Sequence, residues 1–215
     1  MSLASEQDKG LLLETLLLTP CLLTGKTRFD ESHASVWITP RDDETILFFR
    51  IDVPQERKEK KFEKKGENRQ PMCEFRQQLW GDKKGERICD LIVYYAKGNE
   101  RVFCFVELKD NLKDLGDATE QITNTYTHFK QHLRLNHRYT AKAFISGPKS
   151  SSPPPQRQTY QKALLKVFKD ANNIECCGNA DEFGDFLRGV RKTERKKGKK
   201  GKKGKGSHEV QTLIS

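Results

Sequence analysis

Long apolar runs are missing from this chain. No stretch of its 215 residues approaches the roughly 18 consecutive apolar residues that a membrane-crossing helix needs. The nearest candidate, LLLETLLL at 11–18, is short and is interrupted by Glu14. The preceding MSLASEQDKG carries two acids and one lysine, which is no basic leader. An amphipathic helix is therefore expected there rather than a secretion signal. Cysteine is sparse and unpatterned. The six residues, at 21, 73, 89, 104, 176 and 177, form no CxxC pair and no spaced His/Cys cluster. Neither a zinc site nor a secreted disulfide framework is expected. Cys89 and Cys104 lie in apolar runs, where a free thiol behaves as a small hydrophobe, and a reducing, cytoplasmic setting fits best.

Negative charge is in deficit, but only locally. The net charge is +10, and residues 191–215 hold ten Lys or Arg against two acids, so eight of those charges belong to the tail. The nearly neutral remainder, 1–190, is long enough for one domain with a real core. The Lys/Gly-rich tail is low in complexity and is expected to be disordered. It serves either as a solubilising terminus or as a sequence-blind arm for phosphates, whose grip would weaken as salt rises. A second charged run, ERKEKKFEKKGENRQ at 56–70, suggests a solvated loop inside the domain. The three consecutive prolines of SGPKSSSPPPQ (146–156) exclude a helix there.

Between these breaks the apolar period alternates. ASVWIT (34–39) and TILFFRIDV (45–53) suggest two strands of a hairpin. MCEFRQQLW (72–80), RICDLIVYY (87–95) and RVFCFVELK (101–109) suggest three more. Helical spacing then takes over in 117–135, with Leu115, Ala118, Ile122, Phe129 and Leu133 near one face, and Asp117 with Glu120 suggests a capping box. AKAFIS (141–146), a helix over 157–170, NIECC (173–177) and a helix over 181–190 complete the order. A strand–helix–strand unit over 101–146 needs a crossover, which makes its strands parallel. The expected fold class is α/β, a mixed central sheet flanked by helices.

Chemistry concentrates at one hairpin. Gly98-Asn99 separates the two most apolar strands as a two-residue turn, so paired positions sum to 197 and Asp90 faces Glu107. Directly opposite side chains have Cβ atoms roughly 4.5–5.5 Å apart, and like charges so placed destabilise a sheet. Lys109, two residues beyond Glu107, shares its face. A divalent cation offsets the repulsion economically, since Mg²⁺ is usually held by one or two carboxylates with substrate phosphates. A structural ion pair is the plainer explanation.

Asp90 in RICDLIVYY, followed by Glu107 and Lys109 in FVELK on the next strand, resembles the PD-(D/E)xK nuclease superfamily. The likeness covers residues 72–146 closely and the rest of 1–190 loosely. It implies a restriction-endonuclease-like core and phosphodiester hydrolysis of nucleic acid, DNA before RNA. It also implies Mg²⁺ or Mn²⁺ on Asp90 and Glu107, with Lys109 assisting the attacking water. Many members carry a glutamine on the following helix, which implies a supporting role for Gln121. The acid common on the first helix has Glu14 and Glu74 as candidates. The [DE]-x-K tripeptide alone is uninformative, because ERK at 56–58 and 194–196, EKK at 59–61 and 63–65, and DKK at 82–84 also match it. Asp90 also follows Cys where the superfamily often has Pro. A catalytically inactive nuclease-fold protein that binds nucleic acid or another protein is the alternative. His128 and His132 stand i,i+4 on the helix with no third ligand in the sequence, and suggest a solvated or partner-facing pair.

Overall fold

Runs of β-branched and aromatic residues form strands here because their branched side chains fit a pleated, half-buried surface. The computed structural model describes residues 21–31, 33–52, 76, 79–80, 86–133, 138–148 and 154–190. In chain order the elements are β1 (Arg28–Glu31), β2 (Ala34–Trp37), β3 (Glu44–Arg50), β4 (Leu91–Lys97) and β5 (Glu100–Leu108). There follow α1 (Leu115–His132), β6 (Thr140–Ser146), α2 (Arg157–Phe168), β7 (Ile174–Gly178) and the short α3 (Phe183–Leu187). Strands β3-β4-β5-β6-β7 form one mixed sheet in sequence order. Its β3/β4 and β4/β5 pairs are antiparallel, and β5/β6 and β6/β7 are parallel. The protein is thus an α/β fold, a five-stranded mixed sheet packed against helices.

Both faces of the central strands are covered, which is why β4 and β5 are almost continuously apolar. Phe103, Phe105 and Ile92 face a core that includes Leu115, Ala118, Ile122 and Phe129 of α1 and Leu164 and Phe168 of α2. Val93, Cys104 and Val106 face the opposite core, closed by Phe183, Phe186 and Leu187 of α3 and by Phe29 and Val36 of the β1–β2 ribbon. The five apolar residues expected on one face of α1 are all buried. Of the four aromatics expected in the core, Trp80, Phe103 and Phe105 are buried, whereas Trp37 at the end of β2 is only partly so. Among the described residues no helix is long and apolar enough to cross a membrane.

Four local expectations need correction. Residues 34–37 pair with β1, not with β3, in a separate two-stranded sheet. The short RFDE segment, with Phe29 its single buried residue, supplies that strand. Arg76, Leu79 and Trp80, the described residues of the strand expected at 72–80, are helical rather than extended. Its apolar residues Met72, Phe75, Leu79 and Trp80 recur at helical, not alternating, spacing. Asp117 and Glu120 form no capping box, because the helix begins two residues earlier and both acids bond Arg87 instead. Cys21 is disulfide-bonded, against the expectation of reduced cysteines, whereas Cys89, Cys104, Cys176 and Cys177 are in no disulfide. The helix at 11–18, the charged run at 56–70, Glu14, Glu74 and the tail 191–215 lie outside the described residues.

Candidate active site

The Gly98-Asn99 turn fixes everything downstream. Gly98 takes φ 51°, a conformation open to glycine at little cost, and Lys97 pairs with Glu100 across it. Every rung of the β4–β5 ladder follows the expected register, down to Leu91 opposite Val106. By the same count Asp90 and Glu107 are the next positions outward, Asp90 just before β4 begins. Both are buried, at 6% and 1% exposure.

The two carboxyl groups are laced to each other's strands. The Asp90 backbone N–H donates to Glu107 Oε2 at 3.2 Å, and the Leu108 N–H donates to Asp90 Oδ2 at 2.7 Å. Glu107 Oε1 receives Lys109 Nζ at 2.8 Å. The same ammonium donates to Gln121 Oε1 at 2.8 Å, while Gln121 Nε2 donates to Ile88 O at 3.2 Å. The structure therefore brings Asp90, Glu107, Lys109 and Gln121 into one constellation: Glu107 from β5, Asp90 just before β4, Lys109 just past β5, and Gln121 from α1.

Local sequence explains how Gln121 arrives there. The Lys109 N–H bonds Ser146 O at 2.9 Å, holding the end of β5 against β6. Asn111 then caps a single 3₁₀ turn over Leu112–Asp114, with its side chain accepting from Lys113 N–H. That turn runs straight into α1, so the helix starts beside the strand it follows.

Electrostatics make the pair costly. Burial and then the neighbouring Glu107 carboxylate push Asp90 well above the ordinary aspartate range. Burial pushes Glu107 upward too, against the opposing pull of Lys109. For Lys109, burial works downward, but Glu107, with Asp90 and Asp117 beyond it, outweighs that together and holds the ammonium more firmly than usual. Glu31 on β1 and Asp52 just past β3 add negative potential at Asp90. Asp52 is itself shifted upward by burial, opposed by Arg76, Arg50 and Lys109.

A hard divalent cation suits this donor set. Two buried carboxylates offer oxygen ligands, and a positive charge between them offsets both their desolvation and their repulsion. Among the described residues, Asp90 Oδ1 is not engaged in a hydrogen bond and remains a donor for such an ion. No group of three His, Cys, Asp or Glu among the described residues is arranged to hold a metal, so two protein carboxylates are what the site offers. His128 and His132 do not join it. Their rings stack 6.5 Å apart, and His128 also packs on Trp80 and bonds Asn124 O through Nδ1 at 3.0 Å.

Two neighbours had gone unpredicted. Asp52 ends TILFFRID, and its backbone N–H lies 3.5 Å from Asp90 O, so pairing of that strand with 87–95 was the signal that could have found it. Thr125 stands one turn beyond Gln121 and accepts the Cys89 N–H at 2.9 Å. Its signal was the i,i+4 spacing from Gln121 on a face already expected to meet the sheet. No protein family, curated protein or solved structure matches this chain.

Proposed function

We propose that this chain is a metal-dependent nuclease of the PD-(D/E)xK, restriction-endonuclease-like type, which hydrolyses phosphodiester bonds of nucleic acid, with DNA the favoured substrate. The observation that carries this reading is the meeting of Asp90 and Glu107 at the open end of the β4–β5 ladder, with Lys109 bonded to both Glu107 and Gln121. Asp90 and Glu107 are the residues for Mg²⁺ or Mn²⁺. Bound there, the ion supplies Lewis-acid activation of a phosphodiester and of a water.

Each side chain has a task set by its chemistry. An ammonium is a donor with no lone pair, and Glu107 keeps Lys109 protonated, so Lys109 acts as donor rather than base. It orients an attacking water through that water's lone pair and offsets charge developing on the phosphate. Gln121 fixes where Lys109 points, because its other amide end is tied to the Ile88 carbonyl. Burial of the acids excludes bulk water, which strengthens each of these interactions.

The test is incubation of the purified chain with DNA and RNA panels in Mg²⁺, Mn²⁺ or EDTA. Cleavage is expected with either ion, none in EDTA, and none from Glu107→Ala or Lys109→Ala. Cleavage that survives either substitution refutes the assignment. The closed Lys109–Glu107 ion pair favours one second reading, a catalytically inactive member that binds nucleic acid or a protein. It predicts binding indifferent to EDTA and no cleavage with either ion.

A further inference from the structure

Residues 86–90 approach β4 outside any strand, so the ladder does not satisfy their backbone. Buried peptide groups must still find partners. Here the partners are largely side chains, and two come from one face of α1. Gln121 Nε2 donates to Ile88 O at 3.2 Å, and Thr125 Oγ1 accepts from Cys89 N–H at 2.9 Å. Asp90 follows directly. Its own N–H goes to Glu107, and its carbonyl accepts from Ile51 N–H at 3.1 Å.

Thr125 is well suited to this bond. A hydroxyl has one hydrogen and two lone pairs. Its hydrogen is committed to Gln121 O at 2.7 Å, which leaves the oxygen facing Cys89 as an acceptor only. Thr125 is fully buried, and Cys89 is as well, so no water replaces the contact. A single hydroxyl thus ties the backbone beside Asp90 to the helix that carries Gln121.

We propose that Thr125 is a positioning residue that sets where the Asp90 carboxylate stands. It touches neither substrate nor ion, and it acts through Cys89. This role deepens the nuclease reading and rests on it only for its consequence, the binding of a divalent cation. Partners that orient metal-binding side chains typically change metal affinity about 10- to 100-fold when removed.

The experiment compares wild type with Thr125→Val, of the same shape without the hydroxyl, and with Thr125→Ser, which keeps it. Amide hydrogen exchange of Leu108 is measured in EDTA, since that N–H reports directly on Asp90 Oδ2. Mn²⁺ affinity is measured by electron paramagnetic resonance. Thr125→Val is expected to speed Leu108 exchange at least tenfold while Val93 and Tyr95, inside the ladder, keep their protection. It is also expected to weaken Mn²⁺ binding about 10-fold or more, and Thr125→Ser should recover both. Leu108 exchange unchanged in Thr125→Val overturns the proposal. A uniform rise across the sheet also overturns it, because that marks a merely structural residue. Should wild type fail to bind Mn²⁺, the nuclease reading falls, and the Leu108 exchange still decides the role of Thr125.

Discussion

Replacing Asp90 with Asn should stabilise the metal-free protein while removing its activity. Two buried carboxylates are held together by the register of β4 and β5, and at a Cβ separation of about 5 Å two full charges repel by roughly 3 kcal/mol at an effective dielectric constant near 20. Proton uptake relieves part of this at neutral pH, because burial and mutual repulsion raise both acids. Asn keeps an oxygen to accept the Leu108 N–H, so the loss of packing is small. A net gain of about 2 kcal/mol at pH 8 follows, which for a chain of this size is a rise in Tm of roughly 4–8 °C. The sign of the pH dependence is fixed by the direction of the shifts. Acids raised in the folded state stabilise it below their unfolded values, and that contribution is lost as pH climbs through about 7 for Glu107. Wild type in EDTA should therefore weaken between pH 4 and pH 8, and the advantage of Asp90→Asn should widen over the same interval. Urea unfolding followed by tryptophan fluorescence measures both, and adding Mg²⁺ should narrow the gap by stabilising wild type alone. An Asp90→Asn protein less stable than wild type at pH 8 in EDTA would refute the electrostatic argument.

Lys109→Met should lower kcat on a cleavable substrate by about 100-fold or more with little change in KM, measured by steady-state cleavage. Arg188→Met should cost about 1.5–3 kcal/mol in urea unfolding at pH 7, because it removes the guanidinium and leaves the Glu44 carboxylate only the Arg41 N–H and the Tyr95 hydroxyl as donors. That carboxylate accepts Arg188 Nε and Nη2, each at 2.7 Å, and the guanidinium holds it down at about 2. A lowered acid stabilises the fold above its unfolded value near 4.5, so the difference from wild type should shrink as pH falls towards 2. Gly147→Ala should cost roughly 1–3 kcal/mol by thermal unfolding, since its Cβ would meet Leu112 Cδ2 at 2.6 Å, in the turn just past Lys109.

The site was legible in the sequence because a two-residue turn leaves no freedom in register. Once Gly98-Asn99 closes the hairpin, Asp90 and Glu107 meet by counting alone, and Lys109 shares the face. The apolar stripe of α1 likewise placed Gln121, since Ala118 and Ile122 must turn towards the sheet. Pairings without a tight turn were not legible. Residues 34–37 pair with β1, which ends only three residues before them, and nothing in ASVWIT itself chose that partner over β3. MCEFRQQLW suggests a strand because Phe and Trp favour strands, yet its described residues Arg76, Leu79 and Trp80 are helical, in line with the spacing of its apolar residues. Asp52 and Thr125 stayed hidden for another reason. Each acts through the backbone of a segment that lies outside the ladders, and sequence periodicity says nothing about where such a segment finds its hydrogen bonds.

The central claim is that Asp90 and Glu107 share a divalent cation. Anomalous diffraction from crystals grown with Mn²⁺ tests it most directly. A single strong peak between Asp90 Oδ1 and the Glu107 carboxylate, absent from Glu107→Gln crystals, is the predicted result. No peak at millimolar Mn²⁺, with Lys109 Nζ still bonded to Glu107 as it is at 2.8 Å here, would contradict the account.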